Sequence, residues 1–351
     1  MKKTRAFLKW AGGKYSLVEE IAERLPAGRV LLEPFVGAGS VFLNTDYDAY
    51  VLNDINPDLI CLYNHLKLTP DSFIAEARKL FVAEHNHKAA YYRLRTQFNQ
   101  TETTFERALL FLFLNRHGFN GLCRYNKKGG FNVPFGSYKK PYFPEKELWA
   151  FAEKAQKATF ICESYADAIK RAEEDWVIYC DPPYAPLSTT ASFTTYASGG
   201  FTLDDQAILA RLARHTAAHK GVPVLISNHD IELTRELYRG ARLDEILVKR
   251  TISRNGGTRN KVAELLALYP PESNLSRATI PATVNYCHWR NRPCGAQGCR
   301  FLWASPRPCR CPKTRVAGGG EAIAPFTPHS SRFRPPFTLK LRRFFSLAAN
   351  G

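Results

Sequence analysis

Four consecutive residues, Asp181-Pro182-Pro183-Tyr184, set a carboxylate, two prolines and an aromatic ring directly after the apolar run Trp176-Val177-Ile178-Tyr179-Cys180. A carboxylate accepts hydrogen bonds and an aromatic ring offers a flat face, so the end of this run is where a ligand site is expected. A plain turn after a strand carries the same residue types, so the motif needs partners. Three stretches offer them. Leu8-Lys9-Trp10-Ala11-Gly12-Gly13-Lys14 is a glycine loop with a lysine; Phe35-Val36-Gly37-Ala38-Gly39 is a second glycine turn; Asp54 lies fifteen residues beyond Gly39. Glycine turns let a backbone approach a ligand closely, and an acid at the tip of a second strand is placed for ribose hydroxyls. Gly13-Lys14 is not a Walker loop, because Leu8 stands where the leading Gly belongs and Tyr15 where Ser or Thr must follow.

These groups need rigid strand ends to hold them. Val177 to Tyr179 suit a strand buried on both faces of a parallel sheet, and the prolines end it because they cannot donate ladder hydrogen bonds. Arg29–Glu33, Ala49–Asp54, Ala158–Cys162, Val222–Asp230, Leu243–Val248 and Val262–Tyr269 read as further strands. Helical periods lie between them. In an open α/β sheet ligands bind beyond the carboxyl ends of the strands, which is where Gly37, Gly39, Asp54 and Asp181 fall. Ser227, Asn228 and Asp230 also end a strand, and His229 among them reads as a hydrogen bonder rather than a general base, with no nucleophile near it in sequence. Thr202 and Asp205 are spaced as a capping box before the helix from Leu203. Ala185–Gly200 is rich in Ser, Thr, Ala and Gly and is expected to be a mobile loop over the site. The basic glycine loop Ser253–Lys261 is a possible phosphate contact.

Between residues 57 and 144 the strand alternation gives way to helices. Thr69-Pro70 is spaced as N-cap and N1, and Phe105 to Leu114 form a strongly apolar helix. Asn115 to Lys140 then interleave Arg, Asn, Lys and aromatics, with Lys127-Lys128-Gly129-Gly130 as the expected tip of a hairpin. Arg and Asn read guanine and adenine edges, and Lys and amides hold phosphates. A solvated basic hairpin would look the same.

The chain has 351 residues, a formal net charge of +17, 45% hydrophobic and 13% aromatic residues, which places it among globular proteins of one or two domains. The charge is unevenly spread. From Leu275 onward 13 Lys and Arg face the single Glu321, leaving +5 for residues 1–274. Cys61, Cys123, Cys162 and Cys180 show neither disulfide nor metal spacing and read as reduced thiols of a cytoplasmic protein. No signal peptide or membrane span is evident, no metal is expected, and a monomer is expected. After residue 270 the composition turns to Arg, Pro and Cys. Cys287, Cys294, Cys299, Cys309 and Cys311 fit no paired zinc spacing, and residues 271–351 are expected to be a disordered or out-of-frame tail.

Taken together, Lys9 to Lys14, Phe35 to Gly39, Asp54 and Asp181 to Tyr184 resemble the Dam-type DNA adenine-N6 methyltransferases, with little interruption from Met1 to Tyr269. The resemblance implies a Rossmann-like methyltransferase sheet with helices on both faces, formed by residues 1–56 and 145–270. It also implies a small, mainly helical target-recognition insert at 57–144 that carries the β-hairpin. S-adenosylmethionine is the implied cofactor and the adenine of GATC in double-stranded DNA the implied substrate. Trp10, Lys14, Gly37, Gly39, Asp54 and Asp181 are the implied cofactor residues. Asp181, Pro182 and Tyr184 would hold a flipped adenine for direct methyl transfer, with no covalent intermediate and hence no catalytic role for Cys180. Arg124 would read a guanine, Leu122 and Pro134 would meet a thymine methyl, and Phe119 with Asn120 would enter the base stack. Phe119 departs from the tyrosine of the family pattern. Arg95, Arg116 and Asn126 would contact phosphates. Two other functions share these motifs: a DNA-binding protein with a silent site, and transfer to another planar amino group such as cytosine N4.

Overall fold

The structure, a computed structural model, describes residues 3–186, 201–249 and 261–271. Most of the expected loop at 185–200, most of the glycine loop at 253–261 and the tail beyond residue 271 lie outside the described residues. One seven-stranded sheet is built from β1 (Val30–Glu33), β2 (Ala49–Asn53), β3 (Ala158–Ile161), β4 (Trp176–Cys180), β5 (Val224–His229), β6 (Arg242–Lys249) and β7 (Lys261–Tyr269). Its order is β3-β2-β1-β4-β5-β7-β6. β1 to β5 pair in parallel, and β7 runs antiparallel between β5 and β6. The expected Rossmann-like order is present, and the reversed β7 is a feature the strand patterns did not reveal. The chain moves outward from β1 through β2 to β3 and then returns to β4. The β1/β4 boundary is therefore a topological switch point, where a crevice opens at the carboxyl ends.

β4 is apolar throughout because both of its faces are covered. Val177 and Tyr179 join one core cluster, whereas Ile178 and Cys180 join the other. β1 divides likewise between Leu31 and Leu32. Alternate residues pointing to opposite faces produce this division. The first cluster is roofed by α1 (Val18–Arg24), α2 (Ser40–Asn44), α3 (Pro57–Leu68), α4 (Pro70–Leu80), α5 (Lys88–Gln100), α6 (Thr104–His117) and α7 (Glu145–Lys154). The second lies under α8 (Tyr165–Lys170) and α9 (Leu203–Lys220), with Tyr238 just beyond α10 (Glu232–Leu237). Helices thus flank both faces. The helices of residues 57–144 share the first core with the sheet, and α6 is buried nearly all round, from Leu110 through Asn115.

Local capping follows the sequence with one exception. Thr202 Oγ1 accepts from Asp205 N (3.1 Å) and Asp205 Oδ2 accepts from Thr202 N (2.8 Å), completing the capping box. Thr69 occupies the N-cap of α4 with Pro70 behind it, but its hydroxyl donates backward to His65 O (3.1 Å). Because α3 ends where α4 begins, that hydroxyl adds a second bond to the His65 carbonyl, which already accepts from Thr69 N (2.9 Å). No helix among the described residues is long and apolar enough to cross a membrane.

Candidate active site and nucleic-acid interface

Asp181 leaves β4 at the switch point, and two neighbours fix its carboxylate. Ser227 Oγ, from the adjacent β5, donates to Asp181 Oδ1 at 2.9 Å. Lys14 Nζ, from the first glycine loop, lies 2.9 Å from the same oxygen and donates to Gly12 O at 2.8 Å. Lys14 is 6% exposed whereas the Asp181 side chain is 21% exposed, so the pair is shielded on the lysine side and open to the crevice on the other. Ser227 is itself held within 3.0 Å of the Tyr179 hydroxyl. The lysine ammonium also stands 4.5 Å from the centroid of the Tyr184 ring. Tyr184 donates to Glu264 Oε2 (2.8 Å) and meets the His229 ring edge to face. Burial, followed by the charge of Asp181, keeps the Tyr184 phenol far above its usual range, so it stays neutral.

The prolines are fixed from the far side. Gln206, on α9, donates to Pro183 O (2.7 Å) and accepts from Asn228 Nδ2 (3.0 Å), which also donates to the Tyr238 hydroxyl (2.8 Å). Asn228 Oδ1 accepts from Ala185 N (3.0 Å), and His229 Nδ1 lies 2.7 Å from Ala185 O. His229 is thus engaged at the strand end, as its position suggested. Cys180 is wholly buried and its thiol is pushed up in pKa, which leaves it no nucleophilic role.

Beneath the shelf lies an acid that the sequence did not single out. Glu33 closes β1, is 2% exposed, and its Oε1 has no hydrogen-bond partner. Burial, and secondarily the charge of Asp181, raise its pKa to about 8. Glu33 is therefore mostly protonated at neutral pH, and the carboxylate of Asp181 faces no second negative charge below it.

The glycine turn after β1 is shaped against Trp10. Gly37 has φ +47°, and a Cβ there would come within 2.9 Å of the Trp10 indole nitrogen. Gly39, with φ +71°, is the N-cap of α2. Asp54 Oδ2 accepts from Gly37 N (3.2 Å) and its Oδ1 from Asn56 N (2.9 Å). Burial raises the pKa of Asp54 and these amide donors oppose the rise. Next to it Ile55 is 73% exposed, an apolar side chain at the rim of the crevice that sequence reading passed over.

Arg124, Phe119, Asn120, Asn126 and Pro134 are exposed together on the segment after α6, with Leu122 partly buried. The hairpin is slighter than expected. Its arms form isolated bridges, Tyr125 with Phe131 and Gly118 with Phe135, with backbone bonds from Asn126 N to Gly130 O (2.8 Å), Asn132 N to Arg124 O (3.0 Å) and Phe119 N to Pro134 O (2.8 Å). Side chains complete the pairing: Asn126 Oδ1 accepts from Lys128 N (2.9 Å) and Gly130 N (3.0 Å), and Asn132 Oδ1 accepts from Arg124 Nε (2.8 Å). Phe119 is 48% exposed, followed by Asn120 at φ +53°, whose amide donates to the Tyr138 hydroxyl. The other two arginines are engaged within the chain. Arg95 donates to Val133 O (3.0 Å), and Arg116 donates to Tyr142 O (3.1 Å) and Phe7 O (3.3 Å). Lys9, for which no individual role was expected, bridges the two regions. Its backbone is clasped by Asn115, and its ammonium lies 3.6 Å from the Tyr138 centroid. Burial and the nearby Arg116 lower its pKa to about 8.

Comparison with known proteins gives the family of the chain. Residues 10–252 match the model of the D12 class N6 adenine-specific DNA methyltransferases. A DNA adenine methylase of Vibrio cholerae serotype O1 is 67% identical over 271 residues, covering 77% of this chain and 98% of that protein. The DNA adenine methylase of Escherichia coli K12 is 61% identical over 271 residues, with 77% and 97% covered. That of Serratia marcescens is 62% identical over 269 residues, with 77% and 100% covered. With its shelf at the β1/β4 switch point and this similarity, the chain belongs to the D12 class N6 adenine-specific DNA methyltransferases.

Proposed function

We propose that the chain methylates N6 of the adenine of GATC in duplex DNA, using S-adenosylmethionine, after the adenine has left the base stack. The carrying observation is the Asp181 carboxylate, fixed at the β4 end by Ser227 and Lys14 with the Tyr184 ring beside it. The crevice suits the cofactor on its own evidence. Gly37 admits no side chain against Trp10, Asp54 offers a partly buried carboxylate for ribose hydroxyls, and Ile55 offers an apolar face. Trp10, Lys14, Gly37, Gly39, Asp54 and Asp181 would hold it. The bound cofactor supplies an electrophilic methyl group.

The chain's own residues then have to make a poor nucleophile competent. The N6 lone pair of adenine is delocalised into the ring, and a paired base cannot present N6 to a crevice. Extrusion costs a few kcal/mol, which stacking on an aromatic such as Tyr184 offsets. Hydrogen bonds from the N6 amino group to Asp181 and to Pro182 O draw the nitrogen toward tetrahedral geometry and free the lone pair. Ser227 and Lys14 keep the carboxylate oriented throughout. Around this centre, Phe119 and Asn120 would fill the vacated stack, Arg124 would read a guanine, and Leu122 and Pro134 a thymine methyl. Arg95, Arg116 and Asn126 would lie along phosphates. The segment 57–144 acts in this reading as the target-recognition insert of a monomeric cytoplasmic enzyme whose tail beyond residue 270 is dispensable. The test is transfer of labelled methyl from S-adenosylmethionine to duplexes carrying GATC or one altered base pair, followed by digestion to nucleosides. Label in N6-methyldeoxyadenosine from GATC alone is expected; equal labelling of altered sites, or label in N4-methyldeoxycytidine, overturns the reading.

A further inference from the structure

We propose that Tyr125 is a positioning residue that ties the Arg124 hairpin to Asp54, so that cofactor and cognate duplex strengthen each other's binding through it. This rests on the reading of Asp54 and Arg124 given above. The connection is a continuous set of hydrogen bonds. Asn56 N donates to Asp54 Oδ1 (2.9 Å), and the Asn56 side chain caps α3 by accepting from Asp58 N (3.0 Å). The same side chain reaches both neighbours of Arg124. Asn56 Nδ2 donates to Cys123 Sγ (3.3 Å), and Asn56 Oδ1 accepts from the Tyr125 hydroxyl at 3.4 Å.

That hydroxyl makes a shorter bond, 2.6 Å, to Asp58 Oδ2. Asp58 is 4% exposed and is neutralised by the Arg107 guanidinium, which engages both carboxylate oxygens and is anchored on Phe98 O (2.9 Å). A buried ion pair of this kind is costly to disturb, so it gives the hairpin a stiff point of attachment. Side chains alternate along the extended segment: Cys123 and Tyr125 turn toward Asn56, and Arg124 is exposed between them. A ribose on Asp54 must share the carboxylate that the Asn56 amide now engages. Any adjustment there is passed to both anchors of the guanine reader, and linkage requires the reverse effect to be equal.

Tyr125→Phe removes the hydroxyl and keeps the ring, which meets Phe131 edge to face at 5.7 Å. S-adenosylhomocysteine is titrated calorimetrically into the full chain alone, with a GATC duplex, and with a duplex altered at one base pair. For the wild type the GATC duplex is expected to tighten the dissociation constant by about five-fold or more, the lower end of ordinary site-to-site coupling, with less tightening by the altered duplex. In Tyr125→Phe the DNA-free constant is unchanged and the ratio falls to near one. Cys123→Ala, which removes the acceptor of Asn56 Nδ2 and the long thiol contact to the Tyr125 hydroxyl (3.9 Å) but keeps the Tyr125–Asp58 bond, shifts the ratio the same way. A wild-type ratio retained in Tyr125→Phe overturns the inference, as does a wild type that binds S-adenosylhomocysteine equally with and without DNA. Wild-type protein that does not bind S-adenosylhomocysteine at all marks a different failure, that of the cofactor reading, and removes this inference with it.

Discussion

Replacing Glu33 by Gln should make the enzyme more stable at alkaline pH and leave it nearly unchanged near pH 4. Glu33 is 2% exposed with an unpartnered oxygen, and its pKa rises from 4.5 to about 8 in the folded chain. A group that binds its proton more tightly when folded supports the fold fully below its unfolded pKa and loses that support as pH rises through the folded one. The wild type should therefore lose stability between about pH 4.5 and 8, at a limiting slope of about 1.4 kcal/mol per pH unit. Over the whole interval the loss approaches about 5 kcal/mol, much of a typical domain's stability. Glutamine copies the shape of the protonated acid and cannot ionise. The assay is urea unfolding of both proteins at half-unit steps from pH 4 to 8.5. The midpoints should coincide at the acid end and separate steadily toward pH 8, with Glu33→Gln the more stable. A gap that does not vary with pH would refute the reasoning, because it would reflect packing rather than ionisation.

Two further substitutions probe the shelf and the turn. Ser227→Ala deletes the hydroxyl that donates to Asp181 Oδ1 at 2.9 Å; a hydrogen bond to a charged group contributes about 1.5–3 kcal/mol, so kcat/KM on GATC duplex should fall by about 10- to 100-fold with circular dichroism unchanged. Gly37→Ala places a methyl 2.9 Å from the Trp10 indole nitrogen at φ +47°; calorimetry should show weakened S-adenosylhomocysteine binding, and unfolding a loss of about 1–2 kcal/mol from the backbone conformation alone.

Much of the site could be read from the chain because its parts are local. β4 announces itself through an apolar run whose last four residues are buried on both faces, and the prolines that stop it adjoin the carboxylate it delivers. Gly37, Gly39 and Asp54 sit at strand ends for the same reason. What escaped reading depends on contacts between distant segments. Ser227 reaches Asp181 across 46 residues and Gln206 reaches Pro183 O across 23, and neither pairing leaves a periodic trace. Glu33 looked like an ordinary strand terminus until burial exposed its missing partner. The hairpin around Arg124 pairs through a few backbone bonds, to which the Asn126 and Asn132 side chains add contacts that leave no periodic trace in the chain. Local propensity also misjudged Thr69, since the proximity of α3 redirected its hydroxyl.

The central claim is that the Asp181 carboxylate activates the adenine amino group. Its most direct test is single-turnover methyl transfer by Asp181→Ala, with enzyme, labelled S-adenosylmethionine and GATC duplex all at saturating concentration. Loss of preorganised electrostatic contacts to a reacting centre predicts a rate at least about 10²- to 10³-fold below wild type, while the duplex remains bound. A rate near that of the wild type in the bound complex would contradict the account.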